Sequence, residues 1–243
     1  MLGAPSFTRQ ISCEDHSRTL TIIAHRACVN GPDARLENTL EAIRGATSSG
    51  LSVEFDVRVS TDGRLVLAHD PCAWSSARDP YPFLRNPDGP PCHALNIKSV
   101  YAVPAILNVL RAAGSAHNFF LFDFELLTND LPGCRFLMRS LQDEGFRVGY
   151  RLSDREPFLD HYLRDPSVRE VWLDEFDRPW VTRDVVQSLC DRGIRSYYVS
   201  PELHGARDRD TVHRRWEDLV GWGVQGICTD YPLQLASLYG GAS

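Results

Sequence analysis

The sequence predicts an α/β fold built on a mainly parallel sheet, either closed into a (β/α)₈ barrel or left open and doubly wound. Three observations predict it. Eight apolar runs of strand length lie near 21–26, 52–57, 65–70, 119–125, 148–153, 170–175, 196–201 and 226–230. Segments of helical period fall between them, near 37–49, 100–113, 132–145, 156–164, 182–192 and 208–222. No stretch reads as a linker, so after a preface at 1–20 the chain is expected to form one domain over 21–240. Eight strands in about 210 residues suit a compact barrel.

Taken in order, the first run, TIIAHR, ends in His25 and Arg26. LENTLEAIRGA then opens the first helix, with Asn38 or Thr39 near its N-cap. The second run contains VEFDV, in which Glu54 and Asp56 are two apart and point to one face, about 6.6 Å apart along the backbone. Two buried carboxylates so placed repel, and either a shared proton or a hard cation relieves them. A cation is the better reading, unless one of the pair is exposed or meets an Arg.

STDGR, with Asp62-Gly63, joins the second run to the third as a turn rather than a helix, so a barrel would be irregular there. The third run, LVLAHD, ends in His69 and Asp70. Histidines at two matching strand ends can divide general-base and general-acid work near neutral pH. Arg26 can hold a phosphate oxygen through its planar fork. In a barrel, the strand ends meet at one mouth, and His25, Glu54, Asp56 and His69 would converge there.

From Pro71 the chain is rich in Pro, Asn and Asp and reads as a long loop up to Lys98, the only lysine among 26 Lys and Arg residues. That lysine is either a chance surface residue or a compact ammonium for a phosphate oxygen. FFLFDFELL at 119–127 reads as the fourth strand, with Asp123 and Glu125 on one face. Asp154 precedes a further helical segment.

Arg151, Asp174, Glu202 and His204 lie at or beyond later strand ends. Arg151 could bind a substrate head group, while Asp174 and Glu202 could support the site or cap the barrel. His93 and His204 read as solvated loop residues as readily as ligands. Trp172, Trp180 and Trp222 read as packing residues, and Asp230 as a maker of structural hydrogen bonds.

The composition, 43% hydrophobic and 24% charged, is that of a globular protein, and the net charge of −6 argues against nucleic-acid binding. No signal peptide and no apolar run of spanning length is legible, so a cytoplasmic protein without stable membrane insertion is expected. The seven Cys form no CxxC pair and are expected to be free thiols.

The order HR, ENT, E-x-D, DG and HD over 21–70 resembles the glycerophosphodiester phosphodiesterase superfamily. GVQGICTDYP at 223–232 resembles that family's last-strand motif, with Gln225 where an Asp is usual. The resemblance implies a TIM-type barrel that cleaves a small phosphodiester, often by attack of a hydroxyl next to the ester that gives a cyclic phosphate. It implies catalysis by His25 and His69, phosphate binding by Arg26 and Lys98, and one divalent cation on Glu54, Asp56 and Asp123. That cation is Mg²⁺ or Ca²⁺, with Mn²⁺ a further option.

In the family, the acid of strand four is followed two residues later by a lysine, and Glu125 stands at that position here. Either Lys98 supplies the missing cation, with Asp123 as ligand, or Glu125 is the ligand and Asp123 supports it; the first is favoured. The alternatives to a hydrolase are a toxin-like lyase that releases the cyclic phosphate and a barrel that binds a phosphate ligand without catalysis.

Overall fold

A computed structural model of the chain describes residues 20–155, 164–206 and 208–239. The preface up to residue 19 and most of the helix expected near 156–164 lie outside the described residues. Strands β1 (Thr21–Ala24), β2 (Ser52–Val59), β3 (Leu65–Leu67), β4 (His93–Ile97) and β5 (Phe119–Phe122) form the first half of the sheet. Strands β6 (Arg147–Ser153), β7 (Glu170–Asp174), β8 (Arg195–Val199) and β9 (Gly226–Thr229) complete it. All strand pairings except β2–β3 are parallel, and β1 pairs with both β9 and β2, which closes an eight-stranded barrel. The doubly wound alternative is thereby excluded.

Two expectations about the strands are corrected. The run near 65–70 is not a barrel strand: β3 folds back antiparallel on β2, with Val57 opposite Leu67. The Asp62-Gly63 turn permits only that hairpin return, because a parallel neighbour needs a crossover of a dozen residues. The third barrel place belongs to β4, inside the segment read as loop; all five of its residues are buried, and the polar His93 and Asn96 mask its apolar pattern.

The barrel wall separates two cores. Phe55, Val57, Leu95 and Ile97 point outward into a cluster with Ile43 of helix α1 (Leu40–Ser48), Phe83 of α2 (Tyr81–Arg85) and Ile106 of α3 (Val103–Ala113). Alternate residues point inward, where Ile23, Ala94, Phe120, Phe122, Trp172, Tyr197 and Cys228 fill the barrel. Phe120 stacks on Tyr197 at 4.6 Å between ring centroids, and Phe122 on Trp172 at 4.4 Å, so Trp172 is indeed a packing residue. Rings of this size need small neighbours. A Cβ on Gly226 would lie 2.7 Å from Tyr197 Cδ1 and 2.9 Å from the Thr21 carbonyl oxygen, too close for any side chain.

The filled interior leaves only the two ends for polar chemistry. At the N-terminal end, buried Glu170 is held by Arg147 and Arg195. The other end carries the mouth. The wall is backed further by helices α4 (Leu131–Asp143), α5 (Arg183–Cys190), α6 (Arg209–Trp222) and α7 (Pro232–Tyr239). Among the described residues Cys28, Cys72, Cys92, Cys134 and Cys228 are free, as expected, but Cys190 is disulfide-bonded, which corrects the expectation of free thiols throughout. Among the described residues no helix is long and apolar enough to cross a membrane.

Candidate active site

The site begins with backbone strain. Among the described residues four non-glycines have positive φ: Arg26 (48°), Ala27 (63°), Asn38 (55°) and Asp123 (69°). Three of the four supply side chains to the mouth, and each left-handed residue costs on the order of 1 kcal/mol or more. The turn at Arg26, directly beyond β1, aims its amide at Glu54 Oε2, 3.0 Å away. Its guanidinium lies 3.0 Å from Glu37 Oε2 and 3.7 Å from Asp56 Oδ2.

Asn38 grips Asp56 at two points. Its Nδ2 donates to Asp56 Oδ2 at 2.8 Å, and its Oδ1 accepts from the Asp56 amide at 2.9 Å. The N-cap of α1 is Thr39, whose hydroxyl oxygen accepts from the Ala42 amide, so Asn38 is left for this clamp.

His25 Nδ1 is 2.7 Å from Asp230 Oδ1, and Nε2 has no protein partner among the described residues. Asp230 is itself braced by Glu202, which accepts from the Asp230 amide at 3.1 Å and from the hydroxyls of Thr229 and Ser200. Burial disfavours the imidazolium of His25. The hydrogen bond to Asp230 and the charges of Glu54 and Asp230 outweigh it, and the pKa stands above the ordinary histidine value. Glu54 is pushed up to about 7 by its burial and by the neighbouring Asp56.

Across the mouth, β4 delivers Lys98. Its Nζ lies 3.5 Å from Asp56 Oδ1 and 3.9 Å from Asp123 Oδ2, longer than hydrogen bonds. Arg151 Nη1 donates to Asp123 Oδ1 at 2.6 Å, Arg151 Nη2 lies 2.8 Å from Asp174 Oδ2, and His204 Nε2 is 3.0 Å from Asp174 Oδ1. His204 is thus fixed in an ion network rather than solvated. Burial raises the Asp123 pKa despite these cations.

Several expectations change on this geometry. Asp123 and Glu125 do not share a strand face: β5 ends at Phe122, Asp123 turns left-handed, and a 3₁₀ turn over Phe124–Leu126 breaks the alternation. Asp123 faces Lys98, whereas Glu125 accepts from the Arg151 amide at 3.1 Å and is pushed up to about 7 by burial. Lys98 extends a barrel strand and is no loop residue. His93 is 1% exposed, not solvated.

The two histidines are unequal. The His69 ring is 41% exposed, beyond an outlying hairpin strand, and its contact is with the still more exposed Asp70 at 3.1 Å. Its carbonyl is tied down by Arg58 Nη1 at 2.7 Å. Asp230 and Asn38 were missed as site residues. For Asn38 and Asp230 the signal lay in the motif blocks themselves, beside the residues singled out.

The carboxylates can be tested against a divalent cation. Among the described residues no three acidic, His or Cys side chains are already gathered into a coordinating cluster. The donor chemistry nevertheless fits. Glu54, Asp56 and Asp123 each have one oxygen fixed by a donor, from Arg26, Asn38 and Arg151, while the second oxygen accepts no hydrogen bond among the described residues. The second oxygens of Asp56 and Asp123 face only the Lys98 ammonium, at 3.5 and 3.9 Å; oriented carboxylates of this kind suit a hard cation, and outer partners usually aim the ligands of such a site.

Residues 25–76 match the family model of the Glycerophosphoryl diester phosphodiesterase family, a segment holding His25, Arg26, Glu54, Asp56 and His69. No curated protein sequence matches the chain. Among solved structures, a candidate glycerophosphodiester phosphodiesterase from Galdieria sulphuraria shares the fold, with a TM-score of 0.68 at 14% identity over 92% of this chain and 99% of its own. A glycerophosphodiester phosphodiesterase from Parabacteroides distasonis does so with a TM-score of 0.61 at 16% identity, over 92% and 98% of the two chains. Both likenesses concern the barrel.

Proposed function

We propose that the chain is a member of the glycerophosphodiester phosphodiesterase superfamily and that it cleaves small phosphodiesters of the glycerophosphodiester kind by acid–base catalysis at the barrel mouth, a reading supported by the family match over residues 25–76 and by the shared barrel. The observation that carries this reading is the His25–Asp230 pair, 2.7 Å long, beside the clamped Glu54 and Asp56. It fixes the imidazole through Nδ1 and leaves Nε2 for a reacting proton.

In this reading His25 Nε2 removes the proton of a substrate hydroxyl next to the ester. The hydroxyl oxygen bonds to phosphorus, the bond to the leaving alcohol oxygen breaks, and His69 protonates that oxygen. Water then opens the five-membered cyclic phosphate in a second round with the proton roles reversed. Arg26 and Lys98 carry the phosphoryl oxygens. Glu54, Asp56 and Asp123 would hold one divalent cation, Mg²⁺ or Ca²⁺, which when bound supplies further neutralisation of phosphate charge. Intramolecular attack also gains the large effective molarity of a unimolecular step. The half-exposed His69 is suited to meeting a leaving group that differs between substrates.

The test is a panel of glycerophosphodiesters, lysophospholipids and sugar phosphodiesters with Mg²⁺, Ca²⁺ or EDTA, followed by phosphorus NMR. A transient cyclic phosphate is expected from vicinal hydroxyl substrates, and a persistent one would mark a lyase. Equal turnover of hydroxylated and deoxy substrates with no cyclic species would refute the route.

A further inference from the structure

We infer that Cys92 is a modification site at the N-terminal end of the barrel, where its sulfur takes one oxygen from a hydroperoxide and becomes a sulfenic acid. The inference is independent of the reaction at the mouth, which lies at the other end of the filled interior.

Three hydrogen-bond donors converge on this sulfur. Cys92 directly precedes β4, is half-buried and packs against the inner core. Arg147 Nη2 donates to Cys92 Sγ at 3.4 Å and to the Tyr197 hydroxyl oxygen at 3.1 Å, and the sulfur lies 3.4 Å from that same hydroxyl. Among the described residues the Tyr197 hydroxyl proton has no acceptor except the sulfur. The third donor is Ser52. It pairs with Ile23 of β1, a residue of the inner core, so its side chain faces the interior. Glu54 of β2 pairs with Ala94 of β4, and two residues earlier on each chain Ser52 stands beside Cys92. Ser52 is 1% exposed, and its Oγ is buried without a hydrogen-bond partner.

A thiol answers this excess of donors poorly. An S–H group donates one proton and accepts only weakly, whereas an oxygen carried on the sulfur accepts well and gives the buried Ser52 hydroxyl the partner it lacks. Charge points the same way. Arg147 and Arg195 share the single carboxylate of Glu170, and the positive charge left over stabilises negative charge developing on the sulfur. The thiols of Cys28, Cys134 and Cys228 lack such a setting and are pushed up in pKa by burial. In the reaction the Cys92 sulfur attacks one oxygen of hydrogen peroxide and the O–O bond breaks. The departing hydroxide leaves as water with the thiol proton, and the two electrons lost by sulfur reduce the peroxide.

The experiment treats the full chain with hydrogen peroxide in the presence of dimedone, which traps sulfenic acids, and follows the adduct at each cysteine by peptide mass mapping. Wild type, Ser52→Ala and Tyr197→Phe are compared, with urea-unfolded wild type as the reference. Cys92 is expected to be labelled about tenfold faster than Cys72, the other half-buried free cysteine, and to lose that lead in urea. Ser52→Ala and Tyr197→Phe should each slow Cys92 about fivefold, the effect of one lost hydrogen bond, and leave Cys72 unchanged. An unchanged Cys72 separates a lost donor from a damaged fold. Labelling of Cys92 no faster than that of Cys72 in the folded chain overturns the inference. Undiminished labelling of Cys92 in both variants overturns it as well, since exposure alone would then set the rate.

Discussion

Replacing Lys98 by Met should loosen the metal-free protein and tighten its hold on a divalent cation, two effects that a surface lysine could not produce. The Lys98 ammonium lies 3.5 Å from Asp56 and 3.9 Å from Asp123, whose side chains are each 2% exposed. At an effective dielectric of about 20, each such contact is worth about 4 kcal/mol before desolvation. Removing one partner of a buried pair costs about 3–5 kcal/mol, because the remaining charge is stranded. Lys98 is 21% exposed, so the lower end applies. A loss of about 3 kcal/mol lowers the Tm of a chain this size by roughly 6–12 °C. That stranded charge is what a divalent cation would relieve. Recovery of half of the ~3 kcal/mol on binding corresponds to a roughly tenfold lower Kd for Mn²⁺. Turnover should fall about 10²-fold or more, since the phosphate loses its ammonium. The assays are thermal melts in EDTA, Mn²⁺ titration by electron paramagnetic resonance, and turnover of the best substrate. Unchanged Tm together with unchanged Mn²⁺ affinity would refute the placement of Lys98 between the carboxylates.

His25→Ala should lower turnover by about 10²–10⁴ while the circular dichroism spectrum is kept, and Asp230→Asn should also lower it by leaving the ring unoriented; wild-type rates in either would remove the His25–Asp230 pair from the mechanism. Glu54→Gln and Asp56→Asn should keep the fold and lose Mn²⁺ binding, as isothermal titration would register. Exhaustive chelation should abolish turnover, and Mg²⁺ or Ca²⁺ should restore it, as a stopped assay would show. His93 offers a pH test of the fold: burial pushes its pKa down to about 4, so the unfolded chain takes up the proton first. Its contribution is present above pH 6.5 and is lost as pH falls towards 4, by about 3 kcal/mol in all. Urea midpoints measured over that window should fall less steeply in His93→Gln than in wild type.

The sequence by itself determined seven of the eight barrel strands, since a strand buried on both faces must be an apolar run. It also marked His25, Arg26, Glu54 and Asp56, because a charge at the end of such a run is costly unless it serves a site. What it left undecided is what depends on partners distant in the chain. Runs 65–70 and 93–97 look alike in length, and only closure of the barrel shows that the more polar one is the wall while the more apolar one folds outside it. Local spacing aligned Asp123 with Glu125, but a left-handed turn at Asp123 sends them apart, towards Lys98 and towards the Arg151 backbone. His25 and His69 are equivalent in pattern. Only the tertiary structure pairs one with Asp230, 205 residues away, and leaves the other half-exposed beyond the buried strand β3. Periodicity records which face of a strand meets apolar neighbours. Which charge meets which is set by strand register around the closed barrel, and no stretch of chain contains that register.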